Sequence, residues 1–309
     1  MCKLSISIVC HDNPGLLDAC LASIRADTSA PPLQLMVTDN TNSPEVQRVA
    51  QHYLSADDIL IVNKFPRGFA ANNNAALSQS SAAFFLLLND DTIVLPETLT
   101  TMVTTIEHDL GMGALGCKMY SSDARNRIHV TCIKEFPSAS ATLRDGLIGY
   151  TGIRRLFPRS RLVRAWSSVV NSHDVAQEAA HLNGACLLLR AEALHQVGGL
   201  DERFFMFLEE TDLCLRLKGV GWKLHYTPDA AIIHYGGASG STAFRRQQHA
   251  RNMRLFLAKH YGWSEVSRYR LVLMLLWPLH LYHRFLTSAI DLQRKKRRVK
   301  LRYSGDKSF

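Results

Sequence analysis

The chain of 309 residues contains no CxxC pair. Its seven cysteines (Cys2, Cys10, Cys20, Cys117, Cys132, Cys186 and Cys214) are dispersed, several of them inside apolar runs. That pattern argues against a disulfide scaffold or a zinc site and for free thiols acting as small hydrophobes in a reducing compartment. A GxGxxG is missing after the first strand-like segment, where CHDNPG stands instead, which argues against a dinucleotide-dependent oxidoreductase. The start carries no basic n-region followed by a long apolar core, so no signal peptide is expected. Internal repeats are absent, and the basic C-terminal tail is the one low-complexity tract. Uninterrupted apolar runs of ~20 residues, the length a membrane helix needs, are also missing. Charge excess is missing from most of the chain as well. From Arg268 onward eleven Lys/Arg stand against Asp291 and Asp306, which accounts for the whole formal charge of +9, and residues 1–267 are balanced. The basic character belongs to the tail and says nothing about the substrate of the main body. With no recognisable RNA or DNA module, a nucleic-acid partner is not expected.

What is present is an ordinary globular composition, 47% hydrophobic and 20% charged, in a length that suits one large domain or two smaller ones. Lys3–Cys10 alternates as a strand. Asn13-Pro14 starts a helix carrying Leu16, Leu17, Cys20, Leu21 and Ile24 at helical spacing. Short strands follow at Leu33–Val37 and Ile59–Val62, a helix at Gly68–Ser80, a strand at Phe84–Leu88, and a helix from Pro96 to about His108. Strands alternating with helices imply a mainly parallel sheet. Gly113–Val130 is a weaker strand pattern. Residues 134–180, with Arg154, Arg155, Arg159, Arg161, Arg164 and Trp166, yield no clear assignment: a loop near an active site or a solvated surface. Cys186–Arg190 reads as a strand, Ala191–Val197 as a helix, Gly198-Gly199 as a turn, the segment from Glu210 to Gly219 or Gly221 as a helix, and Ala230–His234 as a strand.

The most informative junction is Phe84–Leu88 running into Asn89-Asp90-Asp91. A buried strand would deliver two adjacent carboxylates to the sheet rim, where ligands of open α/β sheets bind. Such paired oxygen donors suit Mg²⁺ or Mn²⁺, which in turn suit a diphosphate; the plain alternative is a polar turn. Three further features converge on that rim if the sheet is parallel. Asp39 follows the second strand, or is simply a turn former or helix cap. Glu209, Glu210 and Asp212 follow the aromatic stretch Phe204–Phe207, or are first-turn acids favoured by the helix dipole. One helix face can bring at most one or two of them into a cleft. His234 ends a late strand, ahead of Tyr235-Gly236-Gly237, or is a structural histidine.

These segments together resemble family 2 glycosyltransferases, in particular the branch rich in bacterial rhamnosyltransferases. The matching stretches are SISIVCHDN (5–13), VTDNTNS (37–43), NKFPRGFAANNNAAL (63–77), FFLLLNDDTIVLP (84–96) and the run from Asn183 to Ser239. The resemblance implies an α/β GT-A fold: a Rossmann-like, mainly parallel central sheet flanked by helices. Its catalytic domain would span residues 1–262, with a nucleotide-sugar half to about 115 and an acceptor half from about 116. Residues 263–309 would form a helical, membrane-associating tail. By the same resemblance Asp39 contacts the nucleotide base, helped by His11 and Asn13. Gly68, Phe69 and Asn73 line the nucleoside pocket, and Asn89 and Asp90 contact the donor. Asp91 and His234 hold Mg²⁺ or Mn²⁺. Glu209-Glu210 stands where the family carries a Glu-Asp pair whose second acid is the general base. Here that acid is a glutamate, one methylene longer, which shifts the base by about 1 Å and leaves the choice between Glu209 and Glu210 open, with Glu210 preferred.

The expected activity is a metal-dependent, inverting transfer of a sugar to a glycan or lipid-linked acceptor in bacterial cell-surface polysaccharide or lipopolysaccharide synthesis. dTDP-L-rhamnose is the favoured donor and a UDP-sugar the alternative. The apolar but interrupted stretch Leu271–Ile290 and the basic RKKRRVKLR at 294–302 suit an interfacial helix on the cytoplasmic face of an inner membrane, or a helix packed on the catalytic domain. A nucleic-acid-binding protein and a nucleotidyltransferase releasing pyrophosphate are the rival classes.

Overall fold

The computed structural model describes residues 2–121, 132–153, 173–236 and 241–304, with Ile128, Phe157 and Ser160, and side chains as far as Phe285. The arginines and Trp166 between 154 and 166, and Gly237, lie outside the described residues. The chain forms two compact units, one of Met1–Phe136 with Val169–Phe256, the other of Pro137–Ser168 with Leu257–Phe309.

The first unit opens as alternating strands and helices: β1 (Leu4–Cys10), α1 (Pro14–Ala26), β2 (Leu33–Asp39), α2 (Pro44–Tyr53), β3 (Ile59–Val62), α3 (Phe69–Leu77) and β4 (Phe84–Asn89). These four strands lie side by side in the order β3-β2-β1-β4, all parallel. Leu4, Ile6, Ile8 and Cys10 of β1 and Phe84–Leu88 of β4 are buried, as central strands covered on both faces require. On α1, Leu17, Cys20, Leu21 and Ile24 form the buried stripe.

Then follow β5 (Thr92–Val94), α4 (Thr98–His108), β6 (Met112–Ser121), β7 (Ile133–Lys134), β8 (Gln177–Glu178), β9 (His181–Leu182), β10 (Cys186–Arg190), α6 (Ala191–Val197), α7 (Glu209–Gly219) and β11 (Lys223–His234). Among the described residues these extend the sheet through β10, β6, β11 and β5. β10 runs antiparallel to β4 and β6, while β6 and β11 are parallel. β7 and β9 pair separately. β11 begins at Lys223, well before its apolar end at Ala230–His234. Pro228 has no N–H to give the ladder, and the register against β6 slips between Thr227 and Ala231, so the sequence shows only the second half as a strand.

The second unit holds α5 (Ala139–Thr151) and α9 (Trp263–Ser304), and α8 (Thr242–Tyr261) crosses the boundary at residue 256. Helix α5 falls in the stretch that the sequence left unassigned. Ser138 caps it, accepting from Ala141 N at 3.1 Å, and Gly152 at φ +69° ends it. Its interior Gly146 lets α9 approach: a Cβ there would stand 2.4 Å from Leu276 Cδ1. This pairing draws 137–168 together with the tail, a segment that the sequence places in the acceptor half. Pro278 sits inside α9 without ending it.

Candidate active site

The C-terminal ends of β1, β2 and β4 are level, with Cys10 opposite Asp39 and Val9 opposite Asn89. At the end of β1 the chain turns through Asp12 at φ +59°, and Asn13 Nδ2 donates to His11 O at 2.9 Å, leaving His11 exposed at the rim. Asp39 is fully buried. Its carboxylate accepts from Thr41 N (3.0 Å), Thr41 Oγ1 (3.2 Å), Ser43 N (2.8 Å) and Gln47 Nε2 (2.9 Å). Three donors from its own loop and one from α2 make it the former of the turn that leads into that helix.

Asp90 and Asp91 follow β4 and are both about 5% exposed. Asp90 Oδ2 and Asp91 Oδ1 have no hydrogen-bond partner among the described residues. Burial first, and then the charge of Asp91, push Asp90 up to about 6, against support from the Cys10 thiol and the His11 N–H. β11 brings His234 to this turn by pairing it with Thr92. His234 Nε2 lies 3.2 Å from Asp91 Oδ1 and 3.5 Å from Asn89 Nδ2, and Tyr235 N donates to Asp91 O at 2.9 Å. No group of three His, Cys, Asp or Glu preassembled for a metal occurs among the described residues. The donor set nevertheless fits Mg²⁺ or Mn²⁺: Asp90 Oδ2 lacks a hydrogen-bond partner among the described residues and Asp91 Oδ1 faces only the His234 imidazole, and one or two carboxylates that leave the remaining positions to water and phosphate oxygens are the usual arrangement for Mg²⁺.

The second acidic pair enters through a strained turn. Phe207 (φ +72°) and Leu208 (φ +71°) are both left-handed without being glycine, a conformation that persists only where its surroundings impose it. Asn252 of α8 imposes it here. Fully buried, it donates from Nδ2 to Met206 O at 2.8 Å and Phe207 O at 3.1 Å. The turn aims Glu209 and Glu210 at the start of α7 into different surroundings. Glu209 is buried with Oε2 unsatisfied among the described residues, and burial followed by the charge of Glu210 holds it well above the ordinary range. Burial would raise Glu210 too, but the hydrogen bonding and charge of His181, with Lys134, hold it below its ordinary value. Asp212 serves the fold: it pairs with Arg216 at 2.7 Å, and Arg216 also donates to Val197 O and Gly199 O. Both pairs adjoin the residues just before β10. Asn89 N donates to Ala185 O at 3.0 Å, and a Cβ on the adjacent Gly184 would lie 3.2 Å from Glu210 Cβ.

The loop before α3 docks on the same aromatic stretch. Phe69 N donates to Phe205 O at 2.8 Å, and a Cβ on Gly68 would meet that oxygen at 2.9 Å. The three asparagines behind it are clamps. Asn72 accepts from Asn63, Asn73 accepts from Ser7 Oγ at 2.7 Å and donates to Phe69 O, and Asn74 donates to Leu200 O. Asn40 completes the network through Asn63 Nδ2 and the backbone of Arg67. Sequence reasoning missed Asn40, Asn63, Asn252 and His181. The density of asparagine at 63 and 72–74 is a signal for the first network, whereas nothing near His181 or Asn252 marks them.

The model of the family described as "Glycosyltransferase like family 2" matches residues 3–254. A Mycobacterium tuberculosis protein named N-acetylglucosaminyl-diphospho-decaprenol L-rhamnosyltransferase is 42% identical over 85 residues, 26% of this chain and 28% of that protein. The chain therefore spans under a third of that relative in the match. Rhamnosyltransferase WbbL of Escherichia coli K12 is 26% identical over 272 residues, 86% of this chain and 90% of its own. Among solved structures, mannosyltransferase PcManGT from Pyrobaculum calidifontis, in complex with GDP-Man and Mn²⁺, superposes with a TM-score of 0.57 at 14% identity, covering 97% of this chain and 80% of that one. At that identity the likeness speaks for the fold, which is GT-A. The chain belongs to glycosyltransferase family 2.

Proposed function

We propose that the protein transfers a sugar with inversion from a nucleoside diphosphate sugar, dTDP-L-rhamnose first and a UDP-sugar second, to a glycan or lipid-linked acceptor of a bacterial surface polysaccharide or lipopolysaccharide. One observation carries this reading. Two buried carboxylates stand beside His234, Asp90 Oδ2 without a hydrogen-bond partner among the described residues, and Glu210, held below its ordinary value next to a Glu209 held above it, packs against Gly184 just before β10. The names of the relatives favour rhamnose, and the Mn²⁺ held by the mannosyltransferase with its GDP-Man favours a divalent ion.

In this reading Glu210 takes the proton of the acceptor hydroxyl as its oxygen attacks the anomeric carbon, which requires hydrogen-bond reach between the two. The nucleoside diphosphate leaves from the opposite face, and a single displacement inverts the centre. Asp91 and His234 would hold Mg²⁺ or Mn²⁺, which when bound would offset the charge of the diphosphate. Asp90 and Asn89 would contact the donor, and the turns shaped by Asp39, His11 and Asn13 and by Gly68, Phe69 and Asn73 would frame the nucleoside. A panel of nucleotide sugars, each with and without Mg²⁺ or Mn²⁺, tests this by thermal shift. A donor at 100 times its Kd adds about 2.7 kcal/mol to stability. Stabilisation by one dTDP- or UDP-sugar only with the ion, followed by release of the nucleoside diphosphate, is expected; release of pyrophosphate would overturn the reading.

We propose further that the second unit rests on the cytoplasmic face of the inner membrane. Val272 and Leu276 of α9 are buried with Ala139 of α5, whereas Leu271, Met274, Leu275, Trp277, Tyr282 and Phe285 are exposed. A helix apolar on both faces calls for a second apolar neighbour. No described helix is long and apolar enough to cross a membrane. The basic residues 294–302 that follow would add roughly 1 kcal/mol each on anionic lipid. Sedimentation with anionic but not zwitterionic vesicles, reduced by Trp277→Ser with Phe285→Ser, is expected; equal recovery in the supernatant from both vesicle types would remove the proposal.

A further inference from the structure

Glu210 is reached by a short chain of buried donors that begins at His181. Thr211 Oγ1 lies 3.4 Å from Glu210 Oε1 and donates to it, and His181 Nε2 stands 3.0 Å from that hydroxyl and 3.6 Å from the carboxylate itself. With the threonine proton directed at the glutamate, the hydroxyl must accept, so Nε2 carries the hydrogen and the order is His181 to Thr211 to Glu210. The imidazole is buried at 6% exposure, packs against the Phe136 ring at 6.3 Å, and has no partner at Nδ1 among the described residues. On its far side the Glu210 stem rests on Gly184, where any side chain would crowd it.

We infer that His181 is a positioning residue for Glu210: it and Thr211 fix the rotamer of a carboxylate that has one more rotatable bond than an aspartate would have. This inference rests on the reading of Glu210 as the base. A base displaced by about 1 Å can lose on the order of 100-fold in rate, so a freely rotating glutamate would be a poor substitute. The groups that face Glu210 are His181 of β9, Lys134 of β7, His249 of α8, and Glu209 and Cys214 of its own helix. Burial, then Lys134, holds His249 below its ordinary value. Of the two histidines, His181 is the one with a donor chain to the carboxylate.

The test replaces His181 by Phe, which keeps ring packing and removes the donor, and by Gln, which restores an N–H near the Nε2 position. In the unliganded protein with ¹³C-labelled glutamate carboxyls, the Glu210 signal is identified by its loss in Glu210→Gln. His181→Phe is expected to move its titration midpoint up by a unit or more, and His181→Gln to move it less. In turnover with the nucleotide sugar that stabilises the protein, His181→Phe should lower kcat about 10- to 100-fold. It should also shift the acid limb upward and leave donor KM within about twofold, with partial recovery in His181→Gln. An unmoved carboxyl titration and an unmoved acid limb would overturn the inference, whatever happens to kcat. If Glu210→Gln turns over normally, the reading of the base fails, while the titration still reports whether His181 governs Glu210. Should His181→Phe not fold, Thr211→Val cuts the same chain at its centre and is read in the same way.

Discussion

Asp90-Asp91 and Glu209-Glu210 are both adjacent acid pairs, both mostly buried, both delivered by a turn to one sheet rim. Their surroundings give them opposite chemistry. At the first pair nothing separates the two carboxylates. Burial and the charge of Asp91 raise Asp90, Asp90 Oδ2 has no hydrogen-bond partner among the described residues, and the His234 imidazole sits beside Asp91 Oδ1. That is a site short of positive charge. At the second pair the protein supplies the asymmetry itself: burial holds Glu209 above its ordinary value, while His181 and Lys134 hold Glu210 below it. Two titratable groups whose environments push them apart identify an acid form and a base form. A doublet of acids in a sequence is therefore no statement about function until its neighbours are known.

The comparison breaks first at the base. Glu210→Gln is expected to lower turnover about 10²–10⁴-fold while the donor-dependent thermal shift survives, since the amide keeps the shape and loses the proton acceptance. Near-normal transfer would move the base elsewhere. Asp91→Asn strikes the other pair, and about 10²–10³-fold in turnover is expected together with loss of the stabilisation by Mg²⁺ or Mn²⁺. Chelation with EDTA should bring the unaltered protein to the same level. A variant that still responds to the ion in full would place its ligands away from Asp91.

A smaller effect is expected behind the second pair. Asn252→Ala removes two hydrogen bonds from a turn that two left-handed residues make costly. The freed carbonyls, in a half-buried turn, should cost about 1 kcal/mol of stability. Turnover should fall about tenfold as Glu210 loses its aim, with Asn252→Asp no substitute because a carboxylate cannot donate. Unchanged melting and turnover together would deny the turn its role.

These consequences differ in how far the chain announces them. Asp90 and Asp91 are legible because five apolar residues of one strand run through Asn89 into them, and a parallel sheet lines up strand ends without further information. Asp39 is legible as a position, although its four hydrogen bonds, three from its own loop and one from α2, are visible only in the fold. The rest depends on contacts distant in sequence. His181 lies far before Glu210 in a segment without a pattern, and Asn252 acts on a turn well upstream of its own helix. Helix α5 is hidden because Gly146, which lowers helix propensity, is there to admit Leu276. The early half of β11 is hidden by Pro228. Patterns of burial travel along the chain, whereas positioning by a single side chain leaves no periodic trace.

The mildest test sharpens the contrast within the second pair. Glu209→Gln imitates the protonated form that burial favours, so activity should stay within about threefold. Its signature is in stability. The folded carboxyl titrates well above the ordinary value of 4.5, so the neutral form is favoured in the native state. The stability it contributes is complete below about 4.5 and is lost as pH rises through the folded value, at up to ~1.4 kcal/mol per pH unit while one proton separates the two states. Glu210 works in the other direction, losing its contribution as pH falls below 4.5, so the window above pH 5 belongs to Glu209 within this pair. Melting curves of the two proteins should coincide near pH 4.5 and separate as pH rises, with Glu209→Gln the more stable at pH 8. Curves that stay parallel from pH 5 to 8 would mean that Glu209 ionises freely in the fold, and the division of labour between the two glutamates would have to be given up.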